Sequence, residues 1–122
     1  MNTGVLAFMG DAVYEMYVRQ RLVERGQIQG DKLHFQAVKY VRAESQAEVM
    51  KALIEDLSEE ELALIKRARN KKINTKPKNV QPMIYKWATA FEALIGYLYL
   101  SGQKGRLEEF MLRAFEKGGC GQ

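Results

Sequence analysis

The chain has 122 residues, of which 47% are hydrophobic and 28% are charged, and its net charge at pH 7 is +4. These values are typical of one globular domain with a modest core, so we expect a single domain over residues 1–122. No signal-peptide pattern and no apolar run of about 18 residues is present, which speaks against secretion and membrane spanning. The single cysteine, Cys120, cannot form an internal disulfide, which fits a reducing cytoplasm.

The positive charge is concentrated in one segment, residues 66–78, which contains no acid. Subtracting its seven charges from +4 leaves the rest of the chain at −3. This segregation favours a polyanionic partner, because a concentrated positive segment attracts negative charge more strongly than a diffuse distribution does. The basic residues of this segment are Lys66, Arg67, Arg69, Lys71, Lys72, Lys76 and Lys78.

The first predicted element is a helix over about residues 4–25, because apolar residues recur there at three- and four-residue spacing. Gly26 is its predicted C-terminal stop. Asp31 is the predicted N-cap of a second helix, "KLHFQAVKYV", and a third helical segment, "AESQAEVMKALIED", follows Arg42.

The second half of the chain continues the helical pattern. Ser58 and Glu61 have capping-box spacing and open the helix "EEELALIKRARN". Residues 71–82 are a predicted loop, and Pro82 suits the first turn of a strongly apolar helix that ends near residue 100. An amphipathic helix, "RLEEFMLRAFEKG", ends the chain at about Gly118. No segment alternates with period 2, so the predicted class is all-α, with five to seven helices.

Two acids interrupt otherwise apolar helical segments. Asp11 follows Gly10 in "FMGDAVYE", and Glu92 in "TAFEALIG" has Gly96 one turn later. A glycine inside a helix costs about 1 kcal/mol relative to alanine. The coincidence of each acid with a glycine therefore predicts that the two helices cross closely and bring Asp11 and Glu92 together.

Two carboxylates with room for water are ligands that suit Mg²⁺, for which Mn²⁺ is the expected substitute, rather than zinc. Together with a basic segment that can grip phosphate, they predict metal-assisted phosphodiester hydrolysis. The alternative from the residues alone is two structural acids in ion pairs beside a solvated basic loop. Glu15 lies one turn after Asp11, and an ion pair with Arg19 explains it at least as well as a metal does.

The two acidic stretches also resemble the motifs of a known family. "LAFMGDAVYEMYV" (6–18) resembles the signature helix of ribonuclease III, L-E-F-L-G-D-A-V, and "TAFEALIGYLYL" (89–100) resembles its second motif. The resemblance covers essentially the whole chain and leaves no room for a double-stranded-RNA-binding domain. The chain is therefore similar to the compact Mini-ribonuclease III branch of the family. Two further segments also resemble that branch, "RARNKK…PKN" (67–79) and "SQAE" (45–48).

The chain departs from the family pattern at two of the four expected acids. The signature helix has Ala7 where the family has a glutamate, and the second motif has Thr89 where the family has an aspartate. The resemblance therefore implies a catalytic and metal-ligand role for Asp11 and Glu92 alone. Fewer direct ligands imply weaker or more water-mediated metal binding, and they leave the number of metal ions open.

The resemblance implies an all-α ribonuclease III endonuclease-domain-like fold and a Mg²⁺-dependent endoribonuclease. Its implied reaction cleaves double-stranded RNA to 5′-phosphate and 3′-hydroxyl ends, in maturation of the 23S (large-subunit) ribosomal RNA precursor in the bacterial cytoplasm. It also implies a homodimer, with "LAFM" at 6–9 as the candidate interface and the basic segment as an RNA clamp.

Two other functions stay open from the sequence. One is a non-catalytic double-stranded-RNA-binding protein of the same fold, because half of the family's acids are missing. The other is a helical carboxylate–metal protein that acts on small molecules. The absence of an E-x-x-H pair argues against a di-iron bundle of this second kind.

Overall fold

Six α-helices and one 3₁₀ turn, without any strand, make up the computed structural model, which describes residues 2–26, 29–71 and 81–120, with side chains to residue 117. The all-α prediction with five to seven helices is confirmed. Among the helices described, none has the length and hydropathy needed to cross a bilayer. The elements are α1 (Thr3–Glu24), α2 (Gly30–Val41), α3 (Ala43–Leu53), the turn Ile54–Asp56, α4 (Glu59–Asn70), α5 (Pro82–Leu100) and α6 (Lys104–Cys120).

Local signals define several helix ends. The predicted capping box of α4 is confirmed: the Glu61 backbone N–H donates to Ser58 Oγ at 3.1 Å, and the Ser58 N–H donates to Glu61 Oε1 at 2.8 Å. Pro82 opens α5 as expected. Gly26 follows α1 with φ of +94°, a left-handed conformation that glycine adopts without steric cost.

Two predicted helix ends are wrong. Asp31 does not cap α2, because that helix begins one residue earlier at Gly30 and Gln29 is its N-cap. Asp31 lies in the first turn instead, where its carboxylate faces the positive end of the helix dipole. The last helix does not stop at Gly118 but continues to Cys120.

Helix α5 is the centre of the core, and it contacts α1, α3, α4 and α6. Its buried residues include Phe91 and Leu94, both fully excluded from solvent. Tyr14 of α1 meets Phe91 edge to face, with the ring centroids 4.9 Å apart. Because α5 is enclosed on these sides, any charged group on it must find a partner or lose its charge.

An ion-pair network joins α6 to α4. Arg106 donates to the buried carboxylate of Glu61 at 2.8 Å and to the backbone carbonyl of Asp56 at 2.6 Å. Arg113 pairs with the Asp56 side chain at 2.7 Å. The hydrogen bond from Arg106 holds the pKa of Glu61 below its ordinary value, so this buried acid stays charged.

Candidate active site

Helices α1 and α5 cross at direct backbone contact. A Cβ placed on Gly10 would lie 1.7 Å from the Glu92 carbonyl oxygen, and one on Gly96 would lie 2.0 Å from the Leu6 carbonyl oxygen. Only glycine fits at either position, since real Cβ atoms do not approach other atoms so closely. The predicted close crossing is therefore confirmed, and these two glycines are its cause.

The crossing brings the Asp11 and Glu92 carboxyls together. Burial raises the pKa of Glu92 to about 8, and the negative charge and hydrogen bonding of Asp11 add to the rise. The Gln46 side chain acts in the opposite sense and favours the charged carboxylate. Among the described residues, neither Asp11 nor Glu92 forms an ion pair, so the pair lacks a cation from the protein.

The donor set at this crossing suits a hydrated hard cation. Within residues 2–26, 29–71 and 81–117, no cluster of three or more His, Cys, Asp or Glu residues could hold a metal. Two carboxylates are nevertheless what Mg²⁺ commonly takes from a protein, since it retains several waters and binds substrate phosphate. Because burial and the nearby Asp11 raise the pKa of Glu92, a cation beside the two carboxyls would favour the charged form of both.

The neighbouring candidates contribute no further acid. Glu15 is engaged by Arg19 at 2.5 Å, so the ion-pair interpretation of this residue agrees with the structure. Ala7 is buried on α1 and has no donor atom, and Thr89 lies partly buried on α5 one turn before Glu92.

The described part of the basic segment lies on and just after α4. Lys66 and Arg67 are exposed, whereas Arg69 packs on the Trp87 ring with its guanidinium carbon 5.1 Å from the centroid. Lys71 reaches Asn2 Oδ1, with Nζ at 3.4 Å, beside the N-terminus of α1. Lys72, Lys76 and Lys78 lie outside the described residues.

Sequence reasoning missed two residues near these groups. Gln46 is buried and interacts with Glu92, whereas the segment "SQAE" that contains it indicates only a family resemblance. Lys51 of α3 places Nζ 5.9 Å from the Trp87 centroid and thus shares this ring with Arg69. Neither residue has a local signal, because each meets its partner only through the packing of α3 on α5.

The predicted dimer surface is only partly exposed. Leu6 and Ala7 lie in the protomer core, so the prediction that the whole of "LAFM" forms a surface is wrong. Phe8, by contrast, is 81% exposed, and Met9 is half-buried. A helix turns about 100° per residue, so four consecutive residues point to all sides of it.

Comparison with known proteins gives concordant results. A family model described as the Ribonuclease III domain matches residues 4–103. A Mini-ribonuclease 3 from a Thermoanaerobacter species is 49% identical over 107 residues, which are 88% of this chain and 75% of that protein. The Mini-ribonuclease 3 of Brevibacillus brevis is 48% identical over 93% of this chain and 85% of its own. A crystal structure of a Fusobacterium nucleatum protein superposes with a TM-score of 0.83 at 34% identity, covering 91% of this chain and 88% of that one.

Proposed function

Because the chain belongs to the ribonuclease III family and is an endoribonuclease, we propose that it hydrolyses double-stranded RNA with Mg²⁺ held by Asp11 and Glu92. The observation that carries this proposal is the facing carboxyl pair at the α1–α5 crossing. The alternative, two structural acids in ion pairs, requires basic partners, which neither acid has among the described residues. Mn²⁺ is the expected substitute for Mg²⁺.

The two acids differ in their roles. Asp11 is exposed and can approach a hydrated cation and the substrate from solvent, whereas Glu92 is half-buried and fixes the base of the site. Asp11 and Glu92 would hold the cation as two carboxylates, so Glu92 would lose its proton on metal binding. The ion, when bound, supplies electrostatic stabilisation of the phosphate and acidifies water. The expected products are a 5′-phosphate and a 3′-hydroxyl.

The basic side chains are in reach of the same substrate. Lys71 lies beside Asn2, the N-cap of α1, and Asp11 follows ~13 Å further along that helix. Lys66 and Arg67 extend the positive surface along α4. Duplex RNA is recognised largely through phosphates and shape, so exposed basic side chains on and just after α4 suit it.

A homodimer completes the proposal, because cutting both strands of a duplex requires two active sites related by a two-fold axis. Phe8 is exposed on α1, and Met16, Tyr99, Leu100 and Leu112 are exposed in a groove between α1, α5 and α6. Apolar side chains so exposed are typical of an interface. We assign the exposed side of α1 that carries Phe8 and Met16 to a second copy of the chain.

The proposed natural substrate is the precursor of 23S ribosomal RNA in the bacterial cytoplasm. This part of the proposal rests on the resemblance to the compact family branch and on relatives named Mini-ribonuclease 3 from several bacteria. Processing of purified precursor RNA, followed by mapping of the 5′ ends, tests it. Random cleavage along the precursor would refute a dedicated role in maturation.

The decisive test of the site is a cleavage assay on duplex RNA with Mg²⁺ and with EDTA. Asp11→Asn and Glu92→Gln should abolish cleavage while duplex binding persists. Glu15→Gln is the matched control, since this acid lies on the same helix but is neutralised by Arg19. Cleavage by either site variant at the wild-type rate would refute the site, and a wild type that binds but never cuts would favour the non-catalytic alternative.

The RNA surface is tested by the salt dependence of binding. Replacing Lys66, Arg67 and Lys71 by Gln should make the fall of the RNA-binding constant with rising salt less steep in a log–log plot, because each phosphate contact adds to that steepness. Changing three other exposed lysines to Gln, Lys32 of α2 and Lys104 and Lys117 of α6, is the control for the same loss of net charge. Equal slopes for the two variants would remove α4 from the interface.

The dimer face is tested by molar mass in solution. Phe8→Glu should produce monomers that cut duplex RNA poorly, because a buried charge destabilises an apolar interface. Phe35→Glu is the control, because Phe35 is similarly exposed, at 70%, but lies on α2 rather than on α1. A Phe8→Glu variant that keeps the wild-type mass would refute the assignment, provided that wild type is a dimer.

A further inference from the structure

Three polar side chains lie buried among the described residues: Ser45, Gln46 and Glu61. Two have full explanations, because Glu61 pairs with Arg106 and the Ser45 hydroxyl donates to the Lys39 carbonyl at 2.5 Å. Gln46 is the most buried of the three, at 2% exposure. It lies in the first turns of α3, a helix that packs against α5, and its side chain interacts with the Glu92 carboxyl of that helix.

The nitrogen of the Gln46 side-chain amide has a hydrogen-bond partner, whereas its oxygen has none in the described structure. Its Nε2 donates to the carbonyl of Val41, the last residue of α2, at 2.9 Å, and the side chain also interacts with the Glu92 carboxyl. Its Oε1 is buried and has no hydrogen-bond partner in the described structure. A buried unpaired oxygen costs about 1–3 kcal/mol, so packing alone would favour an apolar residue at this position.

We propose that Gln46 is a positioning residue, whose amide is anchored on Val41 and holds the Glu92 carboxyl facing Asp11. The Val41 carbonyl is a natural anchor, since carbonyls at a helix C-terminus lack intrahelical partners. Because the hydrogen bond to Val41 fixes the Gln46 amide, the interaction of this amide with Glu92 restricts the rotation of the Glu92 side chain.

Restricting the rotation of the Glu92 side chain matters because the site has so few acids. Ala7 and Thr89 stand where the family motif has two more, so the geometry depends wholly on Asp11 and Glu92. A displacement of about 1 Å at a reacting centre can reduce the rate about 100-fold. The inference deepens the proposed function, and its catalytic consequence rests on that function.

The variant that tests it is Gln46→Met, which retains the length and the apolar stem but removes the N–H donor. Ser45→Ala is the matched control, because it breaks another hydrogen bond from α3 to the end of α2 without approaching Glu92. Circular dichroism establishes that both variants fold. Removing a group that orients a ligand typically costs about 10- to 100-fold in metal affinity or activity.

We expect Gln46→Met to lower kcat for duplex RNA by about 10- to 100-fold with little change in KM. It should also raise, by about tenfold, the Mn²⁺ concentration that gives half of the cation-induced increase in Tm. Ser45→Ala should leave both quantities near wild type. Wild-type kcat and Mn²⁺ dependence in Gln46→Met, or equal losses in the two variants, would overturn the inference.

A measurement without catalysis or metal separates this inference from the proposed function. In ¹⁵N-labelled wild type, the Gln46 side-chain NH₂ signals should exchange slowly with water and shift in Glu92→Ala, because one partner is lost. Signals unmoved by Glu92→Ala would overturn the inference even for an active nuclease. Failure of wild type to cut duplex RNA would overturn the proposed function, whereas the NMR result would still decide the contact.

Discussion

The α1–α5 crossing makes Gly10→Ala the sharpest structural test of this site. The new Cβ would lie 1.7 Å from the Glu92 carbonyl oxygen, 2.7 Å from its carbonyl carbon and 2.8 Å from the Gly96 backbone nitrogen. All three atoms belong to the backbone, so no side chain can rotate away. The helices must separate by roughly 1.7 Å to reach the 3.4 Å at which ordinary contact begins.

The expected cost follows from overpacking. Extra methyl groups in a close-packed core typically cost about 1–3 kcal/mol, and a clash with backbone on both sides belongs at the upper end. The helix propensity of alanine returns up to about 1 kcal/mol. We expect a net loss of about 2–3 kcal/mol in the free energy of unfolding, which lowers Tm by about 8–12 °C in a domain of this size.

Urea denaturation followed by circular dichroism measures this loss. Gly105→Ala is the control, because Gly105 lies exposed on α6 and a Cβ there would meet nothing within 4 Å. The control should be unchanged or slightly more stable. A Gly10→Ala protein within about 0.5 kcal/mol of wild type would refute backbone contact at the crossing, since such a value is normal for an innocuous surface change.

The remaining predictions concern charge. Without divalent cations, the folded-state pKa of Glu92, about 8, lies above the ordinary 4.5, so the folded state binds the extra proton between these values. The free energy of unfolding of wild type, measured relative to Glu92→Gln, should therefore fall between about pH 5 and about pH 8; a flat difference would contradict the raised pKa. Asp11→Asn should lower the pKa of Glu92 in an NMR titration, because it removes the neighbouring negative charge; an unchanged titration would separate the two carboxyls. Glu61→Gln should cost about 2–3 kcal/mol in urea denaturation, because Arg106 loses its buried partner, whereas Glu109→Gln, whose contact with Arg106 is solvent-exposed, should cost about 0.5 kcal/mol or less. Equal costs would refute the burial of the Glu61 pair.

The acid–glycine coincidence was readable in the sequence because each member is unfavourable in its local setting. Gly10 and Gly96 weaken their helices, and Glu92 interrupts an apolar segment, so a packing reason had to exist for all three. The structure supplies that reason as one crossing, where the glycines admit the backbone of the opposite helix. Costly residues therefore carried more information about tertiary structure than the favourable ones around them.

Gln46 had no such local cost, which is why the sequence could not reveal it. A glutamine near the start of a helix is ordinary, and nothing nearby indicates that it faces inward. Its burial depends on how α3 packs against α5, and its carboxyl partner is remote in sequence. The error at Leu6 and Ala7 has the same origin, because an apolar run on a helix does not tell which residues face the protomer core.

The two-acid site has an electrostatic consequence that links these observations. Burial, together with the charge and hydrogen bonding of Asp11, already raises the pKa of Glu92 to about 8. A further carboxylate at the buried position of Ala7, on the same helix as Asp11, would add like charge beside a pair that has no basic partner among the described residues. A site with fewer acids is therefore less strained in the absence of a cation. With fewer ligands, such a site also depends more on the correct position of each carboxyl. The amide of Gln46 meets this need, because it is neutral and orients Glu92 without adding charge.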